Sequence, residues 1–179
     1  MIYNVAQLLK ANVGTVQRVE LDDADELDLR ENEASLAGPV EGQAKLHRTN
    51  QGIFVDGIVR LPVELDCTRC LKSFTTTMEF PLREQFYPTI DVNTGEPVAP
   101  PQDDDLSFPI DHNHILDLRE AIRQNLVLAL PVRTLCKEDC AGLCAQCGKD
   151  LNEGPCDCAP EAGDARLESL RQLLELPEV

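Results

Sequence analysis

The chain contains no tryptophan, and aromatic residues make up only 4% of its 179 positions. Its core therefore has to be built from Leu, Val and Ile, and a hydrophobic share of 42% is enough to build one. Positive charge is equally scarce: 16 Lys and Arg stand against 32 Asp and Glu, for a net charge of -16. Such a surface repels nucleic acid over most of its area and suits a basic protein partner, or solubility alone. No segment approaches the roughly 20 apolar residues of a membrane-spanning helix. Met1-Ile2-Tyr3-Asn4-Val5 has neither a basic stretch nor an apolar run, so no secretory signal is expected and a cytoplasmic location is. A Gly-rich phosphate loop and a Ser, His and Asp arrangement are both missing. Asp103-Asp104-Asp105 reads as a solvated acidic run, and His112-Asn113-His114 as a polar connection or cap. No catalytic constellation is expected, and the chain is not expected to be an enzyme.

What the chain does have is eight cysteines in two distant places. Cys67-Thr68-Arg69-Cys70 is one C-x-x-C pair. Cys136, Cys140, Cys144, Cys147, Cys156 and Cys158 form a second group. Two thiolates separated by two residues, with Gly148 after the second pair, make the tight turn that presents both sulfurs to one ion. A reducing compartment favours metal over disulfides. Eight thiolates around two dications would carry the net charge to about -20.

Three groupings of the cysteines compete. Cys67, Cys70, Cys136 and Cys140 can share one ion while Cys144, Cys147, Cys156 and Cys158 share another. Alternatively, the tail supplies one site and Cys67 and Cys70 join a convenient pair, or some thiols stay unligated. The first grouping is preferred because it leaves no orphan thiolate. Cys156 and Cys158, one residue apart, are closer than an ordinary knuckle, which puts one of them in doubt. All-sulfur ligation suits zinc or iron, with two structural zinc ions favoured and one the alternative. The thioredoxin motif also uses C-x-x-C, but there the pair opens a helix, whereas a strand is expected after Cys70.

Hydrophobic spacing predicts a short helix from Val5 that stops at Gly14, and a strand over 15–21. Leu21 to Asp28 reads as an acidic loop, and Asp22, Asp23, Asp25 and Glu26 are candidate docking residues for a basic partner. From Val40 to Tyr87 the alternation is that of strands. Val59, Leu61, Val63, Leu65 and Cys67 share one face, which places Cys67 and Cys70 at a hairpin tip. Pro88 to Pro109 is expected to be a loop. A helix is predicted over Ile115 to Leu130, capped by Asn113, stopped by Pro131 and buried at its apolar end, and another over about Asp164 to Leu176. The expected fold is α+β: a mostly antiparallel sheet or partly open barrel with a few helices and a C-terminal cysteine-rich zinc module. The expected divisions are a core over 1–135, the module over 136–160 and a C-terminal helix over 161–179.

The short N-terminal helix, the C-x-R-C hairpin, the helix ending Leu128-Ala129-Leu130-Pro131 and the run Cys140-Ala141-Gly142-Leu143-Cys144-Ala145-Gln146-Cys147-Gly148-Lys149-Asp150-Leu151-Asn152 together resemble the bacterial YceD family. Its members are called large ribosomal RNA subunit accumulation proteins. The resemblance implies a role in accumulating or maturing large-subunit (23S) ribosomal RNA, in bacterial cytoplasm and in plastids. Local basic exceptions to the acidic surface are Arg69, Lys72, Arg133 and Lys137 beside the cysteines, with Arg119 and Arg123 on the helix. The first four are candidates for contact with a ribosomal or assembly protein, or with rRNA, and for offsetting thiolate charge.

Overall fold

The protein is described here from a computed structural model covering residues 1–23, 27, 29, 34–99 and 108–158. Its elements run β1 (Ile2–Asn4), α1 (Ala6–Lys10), β2 (Val16–Asp23), β3 (Ala34–Leu36), β4 (Val40–Arg48), β5 (Ile53–Asp66), β6 (Ser73–Pro88), β7 (Phe108–Ile110), β8 (Ile115–Asp117) and α2 (Arg119–Ala129). The fold is α+β, with two open sheets among the described residues. The larger has the order β2-β4-β5-β6-β7 and is antiparallel except for β6 and β7, which run parallel. β3 pairs with Val63–Leu65 of β5, while β4 pairs with Ile53–Arg60. Because β6 pairs with β5 along its whole length, β3 and β4 follow one another along the opposite edge.

The long β5–β6 hairpin follows from its alternation. Val59, Leu61, Val63 and Leu65 are buried, while Arg60, Glu64 and Asp66 are exposed. Cys67 continues the inward parity, so its thiol arrives at the tip facing the protein interior. Inward residues of the sheet join Val5, Leu8 and Leu9 at α1 and Ala121, Ile122 and Leu126 of α2 in a single core. Phe86 is fully buried and stacks on Phe108 with ring centroids 5.3 Å apart. Gly42 and Gly57 let β4 and β5 approach closely: a Cβ on Gly57 would lie 2.6 Å from the Gln43 carbonyl oxygen.

Several expectations are corrected. Residues 21–23 are not loop but the end of β2, paired with Val40–Gly42, and Leu27 and Leu29 beyond them are buried in the core. Ile115–Asp117, read as the first turn of a helix, is a strand because it pairs with Ile2–Asn4. The helix therefore starts at Arg119, and Leu118 rather than Asn113 occupies the cap position. Its apolar end is not buried all round, since Leu128 is 84% exposed. The described part of the expected loop contains a turn and a strand. Asp91 accepts hydrogen bonds from the Asn93 and Thr94 N–H groups, Ile90 bridges Pro97, and β7 follows. The helix expected near Asp164 to Leu176 lies outside the described residues. No helix among the described residues is long and apolar enough to cross a membrane.

His112-Asn113-His114 forms the turn between β7 and β8. The Asp111 carboxylate accepts the N–H groups of Ile115 and Asn113 at 2.7 and 2.9 Å. These bonds, that from Ile115 first, hold the Asp111 carboxyl below its ordinary range. A depressed carboxyl contributes stability that is full above its unfolded value, about 3.9, and is lost as pH falls toward the folded value. The stability gap between wild type and Asp111→Asn should thus shrink between pH 7 and pH 3, read from urea midpoints. A gap that does not change would contradict this role. Phe86→Ala should cost about 3–5 kcal/mol by the same assay, as for a fully buried aromatic.

Candidate metal centres

The structure brings the eight thiols together as two groups of four. Cys67, Cys70, Cys136 and Cys140 form one, and Cys144, Cys147, Cys156 and Cys158 the other. Within each group the sulfurs all lie within 4.8 Å of one another, and none of the eight is in a disulfide. The closeness of Cys156 and Cys158 in sequence does not push either sulfur out of its group.

The geometry fits a tetrahedral ion. Metal–sulfur bonds of about 2.3 Å imply sulfur–sulfur edges of about 3.8 Å. Cys67 Sγ stands 3.8 Å from Cys140 Sγ, and Cys70 Sγ 3.7 Å from Cys136 Sγ. Both distances far exceed a disulfide bond of about 2.05 Å. Each group could therefore hold one metal ion with four sulfurs, leaving no open position for a substrate.

Local folding explains how the sulfurs converge. In the first knuckle, the Cys67 N–H donates to the Lys72 carbonyl and the Leu71 N–H to the Cys67 carbonyl, at 3.0 and 2.9 Å. Leu71 carries the left-handed conformation, φ 58°, that Gly148 supplies in the second knuckle at φ 72°. The hairpin tip is tied to the segment after α2. The Thr68 N–H donates to the Thr134 carbonyl at 2.8 Å, and Thr134 Oγ1 donates to the Asp66 carbonyl at 2.5 Å. Cys67, Cys70 and Cys140 are buried with Phe74, Leu135 and Leu143 packed around them. In the second group, Cys147 is exposed and the other three are half-buried.

The thiols are electrostatically unequal. Backbone N–H groups of Cys136 and Cys70 aim at Cys67 and lower its pKa to about 6. Those of Cys147 and Gln146 do the same for Cys144, also to about 6. Burial and the neighbouring sulfurs push Cys136 up to about 12, and contact with Cys147, then burial, raises Cys158 to about 12. One thiolate forms readily in each group, but four at this spacing repel one another without a cation between them.

The candidate basic residues are mostly engaged inside the protein. Arg69 Nη1 donates to the Cys140 carbonyl at 2.7 Å. Lys72 Nζ sits 2.7 Å from both Asp150 Oδ2 and Glu153 Oε1. The Lys72 ammonium, aided by the Asn152 N–H groups, holds the Asp150 carboxyl down at about 2, and the two carboxylates raise the Lys72 pKa in turn. Lys137 lies 3.8 Å from Asp139, and Arg133 is exposed. On the helix, Arg119 pairs with Asp117 and Arg123 with Glu120. Of the acidic candidates, Asp22 is exposed on β2, Asp23 ends that strand, and Asp25 and Glu26 lie outside the described residues. Sequence reasoning missed Thr134, Asp150, Asn152 and Glu153. Asn152 stands out in the sequence only as the end of the run from Cys140, although its amide reaches Cys140 Sγ at 3.5 Å.

Leu71 is 69% exposed and has little packing to lose. Leu71→Gly should therefore raise stability by about 0.5–1 kcal/mol, through relief of the left-handed strain less the entropic cost of glycine. A fall in the denaturation midpoint would show that the Leu71 side chain contributes more than its conformation costs.

Comparison with known proteins shows the family of the chain. No solved structure matches the chain. An uncharacterized protein of Mycobacterium tuberculosis is 32% identical over 112 residues, covering 62% of this chain and 51% of that protein. The chloroplastic large ribosomal RNA subunit accumulation protein YCED homolog 1 of Arabidopsis thaliana is 29% identical over 158 residues, covering 76% of this chain and 49% of the relative. The homolog of the same name in Zea mays is 28% identical over 183 residues, covering 82% and 62%. The chain thus spans about half the length of the first two of these relatives. The family described as large ribosomal RNA subunit accumulation protein YceD matches residues 55–174, which hold all eight cysteines, and the chain belongs to that family.

Proposed function

We propose that this chain is a non-catalytic ribosome-biogenesis factor that supports the accumulation of large-subunit ribosomal RNA. It would act in the cytoplasm as a zinc-stabilised adaptor for a basic ribosomal or assembly protein. Family membership is the observation that carries the process. The sites support the rest of the reading. Eight thiols in two groups of four leave no ligand position for a reacting water or phosphate, so each ion would serve the fold rather than a reaction. The zinc ligands would be Cys67, Cys70, Cys136 and Cys140 in one site, and Cys144, Cys147, Cys156 and Cys158 in the other. Zinc suits all-sulfur tetrahedral sites and has no redox chemistry of its own.

The adaptor role rests on charge. At -16 the chain attracts basic proteins and repels bare RNA. Lys72 and Arg69 are held by carboxylates and a carbonyl of the cysteine-rich segment, while Lys137 stands 3.8 Å from Asp139 and Arg133 is exposed, which keeps any RNA contact local.

Two outcomes follow. Cells lacking the protein should show a lower ratio of 23S to 16S ribosomal RNA, restored by the wild-type chain, and an unchanged ratio would sink the process reading. Replacing Asp22, Asp23, Asp25 and Glu26 by Asn or Gln should reduce recovery of a basic ribosomal or assembly protein in pull-downs several-fold. Undiminished recovery would remove these four residues as the docking strip.

A further inference from the structure

We propose that the two thiolate sites are thermodynamically linked through the turn Asp150–Glu153, so that an ion in either site tightens the hold on the other. The inference rests on the metal reading above and adds a coupling to it. The turn belongs to the second site by chain connection, lying between Cys147 and Cys156. It belongs to the first site by contact.

Asn152 makes that contact with all of its side-chain polar atoms. Its Oδ1 accepts the Ala141 N–H at 2.9 Å, fixing the amide so that Nδ2 points to Cys140 Sγ at 3.5 Å. The same Nδ2 donates to Asp150 Oδ1 at 2.7 Å. A donor aimed at a ligating thiolate orients it and stabilises its charge. Lys72, two residues beyond Cys70, forms a second link to the turn through Asp150 and Glu153. Asp150 has only 9% of its side chain exposed, so this pair is shielded on one side.

The backbone forms a third link. The Leu143 N–H donates to the Arg69 carbonyl at 3.2 Å, and the Leu151 N–H to the Gly142 carbonyl at 2.9 Å. Gly142 is needed at that crossing: its φ is 74°, and a Cβ there would lie 3.1 Å from the Arg69 carbonyl oxygen. Few elements hold the turn independently, since the one described β-pairing within 136–158 is the bridge of Leu143 with Asp150. An ion on Cys144, Cys147, Cys156 and Cys158 would pin both ends of the segment 148–155. Asn152 and Asp150 would then already be ordered for Cys140 and Lys72. By reciprocity, an ion in the first site fixes Cys140 and the hairpin tip, and so favours the turn that closes the second.

The test is a zinc titration of the full chain against a competing chelator. Three other chains are measured beside wild type: Cys67→Ser/Cys70→Ser, Cys144→Ser/Cys147→Ser and Asn152→Ala. With linked sites, the overall two-ion constant of wild type exceeds the product of the two single-site constants by about 10-fold or more. Asn152→Ala, which keeps all eight thiols, should lower the two-ion constant by about 10-fold. Should a serine variant fail to fold, the Asn152→Ala comparison decides alone. Two tightly held ions with the Asn152→Ala constant within about twofold of wild type would overturn the linkage and leave the metal reading standing. A wild-type chain that takes up no zinc would overturn both.

Discussion

Four sulfurs cannot share a space less than 5 Å across as thiolates unless a cation sits among them, and this chain builds that condition twice. Much of the organisation beyond the sheet depends on the first such group. It joins the tip of the β5–β6 hairpin to the segment that follows α2, which lies more than sixty residues away in sequence. The Thr68–Thr134 and Thr134–Asp66 bonds set the same two segments in register. With the hairpin tip and the helix end held, the stretch from Cys136 onward has a fixed origin. Its own apolar content is too small to fold it: among the described residues it adds only Cys140 and Leu143 to the small cluster with Cys67, Cys70, Phe74 and Leu135.

The sheet prepares this site. Strict alternation along β5 puts Cys67 on the buried face, and the turn after it returns Cys70 to the same side. That precision has a local cost, since Leu71 is held in a conformation that glycine adopts more readily. The second knuckle has Gly148 at the equivalent place and avoids it. Charge is arranged with similar economy. Arg69 and Lys72 are bound to a carbonyl and carboxylates of the cysteine-rich segment, so they neutralise and position it more than they decorate the surface. The proposed docking of a basic partner would fall to the remaining acidic exterior.

Much of this was legible in the sequence, for physical reasons that can be named. The cysteine grouping could be argued because leaving thiolates unpaired is costly, and the hairpin because five apolar residues alternate up to Cys67. What escaped was short or long-range. β1, β7 and β8 are three residues each, too short to show a period, and Ile115–Asp117 also fits the apolar spacing of the helix that follows. Pairing with Ile2–Asn4 overrode that spacing. The acidic residues after Leu21 suggested a loop because their charge masked a strand whose edge position tolerates it. The contacts of Lys72 with Asp150 and Glu153, and of Asn152 with Cys140, connect residues with no periodic relation, so no pattern in the chain announces them.

The central claim is that two all-sulfur metal sites hold the hairpin tip and the cysteine-rich segment. X-ray absorption at the zinc edge of the purified full chain, with metal quantified on the same sample, tests it most directly. The account predicts two zinc ions per chain, each surrounded by four sulfurs at about 2.3 Å. Oxygen or nitrogen in the first shell, or a folded chain free of metal, would contradict it.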